Sequence, residues 1–189
     1  MRRLRHSRAA NWIITVAVAI GIVLVFEAEV AKPYRIPSSS MEPTLHCAQP
    51  GDFCQGSHDD RVLADRLIYR FESPKAGQIV VFKAPPAAAR KGCPGGTFIK
   101  RLIGLPGDTV HENRGFVFVN GKLLADSYVP DSERDRYTGT WHVPAGHYFF
   151  MGDDRVHSCD SRTWGSVPRG NLIGPVMLVY WPPNRISFH

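Results

Sequence analysis

The feature that most constrains this chain is an uncharged, apolar run of fifteen residues at 12–26. Together with the flanking residues up to 31, it predicts a helix long enough to cross a bilayer of about 30 Å. The basic residues before it are Arg2, Arg3, Arg5 and Arg8. Positive charge on this side predicts that residues 1–11 form a cytoplasmic tail. A cleaved signal peptide has the same layout, but the residues after the run make poor small-x-small cleavage sites. We therefore expect an uncleaved transmembrane anchor at 12–31 rather than a leader or a buried core helix.

From residue 32 onward the pattern changes to short apolar runs separated by Gly, Pro, Asn or Asp, which is typical of β-strands. These runs lie at 66–71, 78–82, 98–105, 116–119, 147–151 and 172–181. Asn120-Gly121 predicts a tight hairpin, because both residues tolerate the positive φ of a type I′ turn. We expect irregular structure at 47–60 and 84–96 and a loop-rich excursion at 125–146. Without long amphipathic helical patterns, residues 32–189 predict an all-β, antiparallel domain.

Composition agrees with one main domain and argues against a nucleic-acid partner. The chain has 189 residues, 43% of them hydrophobic, with 17 glycines and 15 prolines that favour frequent turns. Its net charge is +6, but four of the positive charges lie in the N-terminal tail, and no basic run interleaved with aromatic residues follows. We expect no nucleic acid, metal or cofactor, because neither a phosphate-binding glycine loop nor zinc-type Cys or His spacing is present.

The segment 36–45 carries three consecutive serines, Ser38, Ser39 and Ser40, between Pro37 and Pro43. Each proline fixes its own φ and pushes the residue before it towards an extended conformation, so the serine hydroxyls sit on a stiff passage. A surface linker would have a similar composition. The segment by itself leaves open whether a serine here is a nucleophile or a linker residue.

Two later sequence motifs decide whether a serine of this segment is a nucleophile or a linker residue. The first is Lys100-Arg101-Leu102-Ile103-Gly104-Leu105-Pro106-Gly107-Asp108, and the second is Gly152-Asp153-Asp154-Arg155-Val156-His157-Ser158-Cys159-Asp160-Ser161-Arg162-Thr163-Trp164-Gly165. With the Ser-Met pair at position 40, they resemble the bacterial type I signal peptidases in order and spacing. The departures are Asp154 for the usual Asn and Val156-His157 for the usual Asp-Asn.

The resemblance implies a Ser–Lys dyad in which Ser40 is the nucleophile and Lys100 the general base. A lysine can act as a base only when its amine is neutral, and apolar neighbours lower its pKa towards that state. By itself Lys100 could equally be a strand lysine that points to solvent. The resemblance further implies that Ser38 joins the backbone N–H of Ser40 in an oxyanion hole and that Ser158 orients the lysine. Asp160 and Arg162 would form a structural ion pair beneath the site.

The implied substrate is an extended peptide added as a β-strand beside the site, with small residues at the first and third positions before the cut. The residues expected to form its pockets are Tyr34, Ile36, Pro37, Met41, Leu45, Phe98 and Ile99. The family fold implies a small β appendage at 111–145 within the peptidase domain 32–189. The expected activity is removal of signal peptides from exported preproteins after Ala-x-Ala-like sites. The expected location is the plasma membrane, in contact with the lipid bilayer, with one span and an extracytoplasmic catalytic domain.

Other functions compatible with these motifs are a peptidase dedicated to one pilin-like or secreted partner and an inactive, membrane-tethered β binding module. A self-cleaving repressor-type Ser–Lys protein is disfavoured by the apolar N-terminal run.

The four cysteines, Cys47, Cys54, Cys93 and Cys159, allow three pairings, and free buried thiols are the alternative. The turn signal Pro50-Gly51 favours pairing of Cys47 with Cys54. Pairing of Cys93 with Cys159 follows if the segment before Lys100 lies against the segment that holds Ser158.

Overall fold

The computed structural model describes residues 8–189, and within the first helix it describes the side chains of 10–24. Most of the predicted basic tail, residues 1–7, lies outside the described residues. The first helix, α1, spans Arg8–Glu29 and so covers most of the predicted anchor. Among the described residues, no helix is long and apolar enough to cross a membrane. The structure therefore confirms a helix here and does not confirm a membrane span.

Within the described residues the chain forms twelve strands and two short helices after α1. The strands are β1 (Ala31–Arg35), β2 (Arg61–Asp65), β3 (Ile79–Lys83), β4 (Thr97–Gly104), β5 (Thr109–Asn113), β6 (Phe116–Val119), β7 (Lys122–Leu123), β8 (Thr138–His142), β9 (His147–Met151), β10 (Val167–Pro168), β11 (Leu172–Trp181) and β12 (Ser187–Phe188). The short helices are α2 (Pro86–Arg90) and α3 (Ser161–Trp164). The prediction of a mostly antiparallel β fold is confirmed.

The strands form two sheets. The larger has eight strands in the order β1-β2-β11-β3-β4-β9-β10, with β12 paired to β11, and the smaller has four in the order β7-β6-β5-β8. Every strand pair in both sheets is antiparallel. The smaller sheet begins at Thr109 and ends at His142, so it occupies most of the stretch 111–145. Strand β4 lies inside the larger sheet, between β3 and β9.

Three apolar clusters hold the sheets in place. One packs Ile36, Met41 and Leu45 against strands β2, β3 and β11. Another lies on β3, β4 and β9, where the rings of Phe82 and Phe150 stack with centroids 4.4 Å apart. The third joins the two sheets through side chains of β4, β5, β6 and β9. Strand β4 contributes Leu102 to the second cluster and Ile103 to the third, so apolar packing holds it on both faces. Full burial of one such side chain contributes about 1.5–3 kcal/mol.

One strand was predicted at the wrong residues. Residues 66–71 do not form a strand; they contain a 3-10 turn at Ile68–Arg70, and the strand is β2, just before them. The carboxylate of Asp65 accepts hydrogen bonds from the backbone N–H groups of Leu67 and Ile68, at 2.8 and 3.0 Å. A side chain that satisfies the next two amides in this way competes with strand pairing, which ends β2 at Asp65.

Two stretches expected to be irregular contain regular elements. The excursion 125–146 includes β8, which pairs along its whole length with β5 although its sequence carries Gly139, which weakens a strand. The stretch 84–96 includes α2, which starts with Pro86 in its first turn and continues through three alanines. Proline at the start of a helix and alanine within it both favour helix formation, so the sequence contained a signal for this short helix. The Asn120-Gly121 hairpin is confirmed, with φ values of 51° and 78°.

Candidate active site

The three-serine segment lies directly after β1. Ser38 keeps an extended backbone, and the chain then makes a 3-10 turn at Ser39–Met41. Two apolar side chains beyond the serine hold this turn against the larger sheet, since Met41 and Leu45 are 1% and 0% exposed. Burial of these anchors sets the position of Ser40, which is itself 7% exposed.

Lys100 lies in the middle of β4, opposite Val80 of β3. It is 2% exposed, and its Nζ is hydrogen-bonded to Ser40 Oγ. Burial lowers the pKa of the Lys100 ammonium to about 8. The carboxylates of Asp160, Asp153 and Asp154 oppose that effect and keep the pKa from falling further. A buried amine with a lowered pKa in contact with a serine hydroxyl can take up the hydroxyl proton.

Ser38 lies on the open side of this pair. Its Oγ is 3.4 Å from Ser40 Oγ, and the residue is exposed where Ser39 and Ser40 are buried. The hydroxyl is thus placed where it can donate to an oxygen that develops charge next to Ser40. Within the described residues, no hydrogen bond involves the Ser39 side chain, and we assign this residue no part in the chemistry.

Beneath the lysine, Asp160 and Arg162 form a bidentate ion pair, with Nε–Oδ1 and Nη2–Oδ2 distances of 2.9 and 2.8 Å. Burial raises the pKa of Asp160, but the charge and hydrogen bonds of Arg162, together with hydrogen bonds from Gly152 and Ser158, outweigh burial and the pKa is lowered. The Asp160 carboxylate also accepts the backbone N–H of Gly152 at 3.0 Å. The pair therefore fixes the chain segment that passes under Ser40.

A second buried ion pair, absent from our sequence predictions, ties the nucleophile segment to β4. Asp153 accepts two hydrogen bonds from Arg101, at 2.8 and 2.6 Å, and one from the Thr44 hydroxyl at 2.6 Å. Arg101 directly follows Lys100, and Thr44 lies four residues after Ser40. Both residues belong to the motif segments, but the sequence did not indicate that both bind Asp153.

The hydrogen bond expected between Ser158 and Lys100 is not formed. Ser158 Oγ is buried, and among the described residues no hydrogen bond joins it to the Lys100 amine, which binds Ser40. A β-carbon at Gly152 would collide with both Ser158 Oγ and the carbonyl oxygen of Ser40. Glycine at this position lets the Ser158 segment approach Ser40, close to the lysine but not bonded to it.

An open cleft of about 320 Å³ runs past the Ser40–Lys100 pair. Six of the seven predicted pocket residues line it, namely Tyr34, Ile36, Pro37, Met41, Phe98 and Ile99. Leu45 does not; it is fully buried in the cluster behind Ile36 and Met41. Sequence reasoning missed four further lining residues, Arg35, Pro94, Gly95 and Thr97. Pro94 and Gly95 come from the turn before β4 and Thr97 is the first residue of β4; the fold places all three across from β1.

Both expected disulfides are present. Cys47 pairs with Cys54 and Cys93 with Cys159, with Cα–Cα distances of 5.0 and 6.0 Å. The second closes a loop of 66 residues and, by loop-closure entropy, stabilises the fold by about 4 kcal/mol, against about 2 kcal/mol for the first, with a separation of 7. Cys159 lies between Ser158 and Asp160, and Cys93 precedes the cleft-lining turn. The second disulfide therefore joins the cleft wall to the segment beneath the lysine.

We expect removal of the Cys93–Cys159 disulfide to lower activity as well as stability. The double variant Cys93→Ala/Cys159→Ala removes the covalent link between the cleft wall and the Asp160 segment. Peptide hydrolysis should therefore slow even at temperatures well below the unfolding temperature of the variant. The matched control is Cys47→Ala/Cys54→Ala, which should lose less stability and less activity. The measurement is kcat at a temperature where thermal unfolding shows all proteins folded. Equal kcat in both double variants and the parent would contradict this role.

His157 does not complete a Ser-His-Asp triad. Its Nδ1 lies 2.9 Å from Asp154 Oδ2, and its ring stacks on Phe53 with centroids 3.5 Å apart. The recorded partners of Ser40 Oγ are Lys100 Nζ and Ser38 Oγ. A general base must be in hydrogen-bond reach of the proton that it removes, and Lys100 meets this condition.

Comparison with known proteins places these features in a family. The family model described as "Signal peptidase, peptidase S26" matches residues 9–181. A probable signal peptidase I-2 of Synechocystis sp. is 38% identical over 173 residues, covering 92% of this chain and 73% of that protein. A signal peptidase I of Leptolyngbya laminosa is 38% identical over 175 residues, covering 92% and 80%. A signal peptidase I of Mycobacterium tuberculosis is 32% identical over an alignment of 231 residues, covering 97% and 76%.

Proposed function

The chain belongs to the signal peptidase S26 family, and we propose that it removes N-terminal signal peptides from exported preproteins as a serine endopeptidase. The observation that carries the proposal is the buried hydrogen bond between Lys100 Nζ and Ser40 Oγ at the wall of an open cleft. A dyad of this kind needs no metal for peptide hydrolysis, because the amine itself activates the hydroxyl.

In the proposed reaction the neutral Lys100 amine takes the Ser40 proton as Oγ attacks the carbonyl carbon of the scissile bond. The carbonyl oxygen becomes an oxyanion and is stabilised by the Ser38 hydroxyl and the Ser40 backbone N–H. The Lys100 ammonium then gives its proton to the leaving amine, the peptide bond breaks, and an ester remains on Ser40. Water attacks the ester while Lys100 takes up the water proton, and protonation of Ser40 Oγ by Lys100 releases the signal peptide.

The cleft supports an extended peptide as substrate. One wall is the end of β1 with Ile36 and Pro37, and the other is the start of β4 with Phe98 and Ile99. A peptide laid between two such strand edges can pair with backbone groups while its alternate side chains enter the walls. Apolar walls this close to Ser40 favour a small side chain such as Ala just before the cut.

The direct test is incubation of the detergent-solubilised full chain with a preprotein, followed by sequencing of the new N-terminus. We expect a single cut after an Ala-x-Ala-like site, and replacement of the last alanine by a bulky residue should stop it. Cleavage at unrelated sites, or none across a panel of preproteins, would contradict the proposal. Cleavage of one partner protein alone would support the dedicated peptidase instead.

The pH dependence of cleavage follows from the lowered pKa of Lys100. Because the neutral amine is the active form, activity is gained as the pH rises through a pKa of about 8. The neutral fraction grows about fivefold between pH 7 and pH 8 and about twofold more above that. We expect kcat/KM, which reports ionisations of the free enzyme, to follow this curve in a single ionisation. A rate that stays flat from pH 6 to pH 9 would show that no amine with this pKa limits the reaction.

We also propose that α1 anchors the peptidase in the plasma membrane by a single span, with the N-terminus cytoplasmic and the β domain extracytoplasmic. Support comes from its exposed apolar side chains, among them Trp12 at 71%, Ile22 at 64% and Leu24 at 60%. A continuous apolar surface of this kind is rare on proteins that face only water. Both disulfides also suit an oxidising compartment. The protein should stay with membranes after alkaline carbonate extraction, and its β domain should be cleaved by protease added from outside. Release into the carbonate supernatant would contradict the anchor.

A further inference from the structure

Next to the dyad, three potential metal ligands that the proposed reaction does not use lie together. One ligand atom each from Glu133, Asp154 and His157 lies within 4.8 Å of the others. Asp154 is buried at 1% exposure, whereas the His157 side chain is 29% exposed, so the cluster opens to solvent on the imidazole side. Glu133 lies far from the other two in sequence, which is why residue spacing gave no sign of a metal site.

The three side chains are held in place by contacts around them. The backbone N–H of Arg155 donates to the carbonyl oxygen of Glu133 at 3.1 Å and so joins the 3-10 turn at Asp131–Glu133 to the segment after β9. The backbone N–H of His157 donates to Asp154 Oδ1 at 2.8 Å. Phe53, from the loop closed by the Cys47–Cys54 disulfide, stacks on the imidazole. Three separate segments therefore converge on the cluster, and little ordering remains to be paid when an ion binds.

The cluster contains two of the three positions at which this chain departs from the family run. Asp154 stands where that run has Asn, and His157 also replaces an Asn. At position 154 a carboxylate takes the place of an amide, and at position 157 an imidazole does. Both replacements put a stronger metal ligand beside Glu133. The common chemistry of the dyad does not require either residue.

We propose that Glu133, Asp154 and His157 bind one divalent transition-metal ion of the Zn²⁺ type, with water completing the coordination. One imidazole nitrogen and two carboxylate oxygens form a donor set suited to Zn²⁺, and three protein ligands plus water is a common zinc arrangement. With Zn–N and Zn–O bonds of about 2.0–2.2 Å, tetrahedral ligand atoms lie about 3.4 Å apart. His157 Nδ1 and Asp154 Oδ2 are hydrogen-bonded at 2.9 Å, so an ion would replace this bond while the two atoms separate by about 0.5 Å. A modest closure of the Glu133 side chain would complete the set.

The charge of an ion bound at this cluster would change the pKa of Lys100. The groups that set the pKa of Lys100 besides burial are Asp160, Asp153, Arg162 and Asp154. Asp154 is among those that raise it, and a bound dication would offset that carboxylate. The rising limb of the pH–rate profile should then move to lower pH when the ion is bound. This consequence rests on the proposed Ser–Lys function, whereas the binding itself does not.

Binding is tested on tag-free full chain that has been stripped with EDTA and dialysed. Isothermal titration calorimetry with Zn²⁺ should give about one ion per chain, and Co²⁺ should give the visible absorption of a four-coordinate site. His157→Ala should weaken Zn²⁺ affinity by about tenfold or more, and Glu133→Gln, at a partly exposed residue, should do the same. The matched control is His142→Ala, an exposed histidine on β8 whose loss should leave binding unchanged. Thermal unfolding in EDTA checks that the variants fold.

Absence of stoichiometric binding, or equal binding in the two cluster variants and the control, would overturn the proposal. Activity gives the second readout. Added Zn²⁺ should shift the pH–rate limb to lower pH in the parent and in His142→Ala, but not in His157→Ala, which should keep most of its activity in EDTA. Specific binding without a shift would leave the ion site standing and refute the charge coupling. Failure of the dyad itself would instead appear as inactivity with binding intact.

Discussion

Lys100→Arg is expected to abolish cleavage, with a fall in kcat on the order of 10⁴-fold or more. The guanidinium stays protonated at every pH at which the protein folds, so it cannot take up the Ser40 proton. It also places a permanent charge where burial has lowered the pKa of the native amine to about 8. The measurement is kcat on a preprotein at several pH values, and the loss should persist at alkaline pH.

The matched control is Lys83→Arg, the same exchange at an exposed lysine on the neighbouring strand β3. It should leave kcat unchanged. A buried guanidinium can also unfold a domain, so Lys100→Met, which removes the charge but keeps an unbranched chain, should be compared by thermal unfolding. A folded Lys100→Met or Lys100→Arg protein with full activity would exclude Lys100 as the base.

Ser38→Ala is expected to lower kcat by about 10²–10³-fold with little change in KM. The hydroxyl would stabilise the oxyanion that forms in the transition state and not the substrate carbonyl, so its loss affects kcat. Its position supports this role, because Ser38 Oγ lies 3.4 Å from Ser40 Oγ on the exposed side of the dyad. Since the residue is exposed, the substitution should cost little folding stability.

Ser39→Ala is the control for Ser38→Ala, because it removes the neighbouring hydroxyl, for which we propose no part in the reaction. Ser38→Thr keeps a hydroxyl at the same position and should recover part of the activity. A Ser38→Ala protein as active as Ser39→Ala would show that Ser38 does not contribute to the oxyanion hole.

The sequence predicted those parts of the fold where local signals and packing agree. The apolar run at 78–82 corresponds to β3. Asn120-Gly121 forms the predicted hairpin turn because both residues adopt positive φ values at little cost. The contact between Ser40 and Lys100 followed from the motif resemblance and not from spacing, since 60 residues separate them. Likewise, pairing of Cys93 with Cys159 followed from the motif segments that those cysteines flank.

What the sequence missed depends on contacts between distant residues. Strand β8 contains strand-favouring Thr and Trp residues, but Gly139 and the polar surroundings hid this signal, and pairing with β5 along the full length completes the strand. The expected Ser158–Lys100 hydrogen bond is not formed, because it depends on how two segments 58 residues apart pack together, and in the described residues the lysine amine binds Ser40. The cleft-lining turn with Pro94 and Gly95 looked like an ordinary loop, and only the fold brings it beside β1.

The central claim is that Ser40, activated by Lys100, forms the covalent intermediate, and peptide mapping after reaction with a serine-directed acylating inhibitor tests it most directly. The full chain is treated at about pH 8, quenched in acid, digested and examined by mass spectrometry, with Lys100→Met as the matched sample. We predict one adduct per chain, located on Ser40, formed in step with loss of preprotein cleavage and absent from Lys100→Met. An enzyme that loses activity while Ser40 remains unmodified, or that carries the adduct on another residue, would contradict the account.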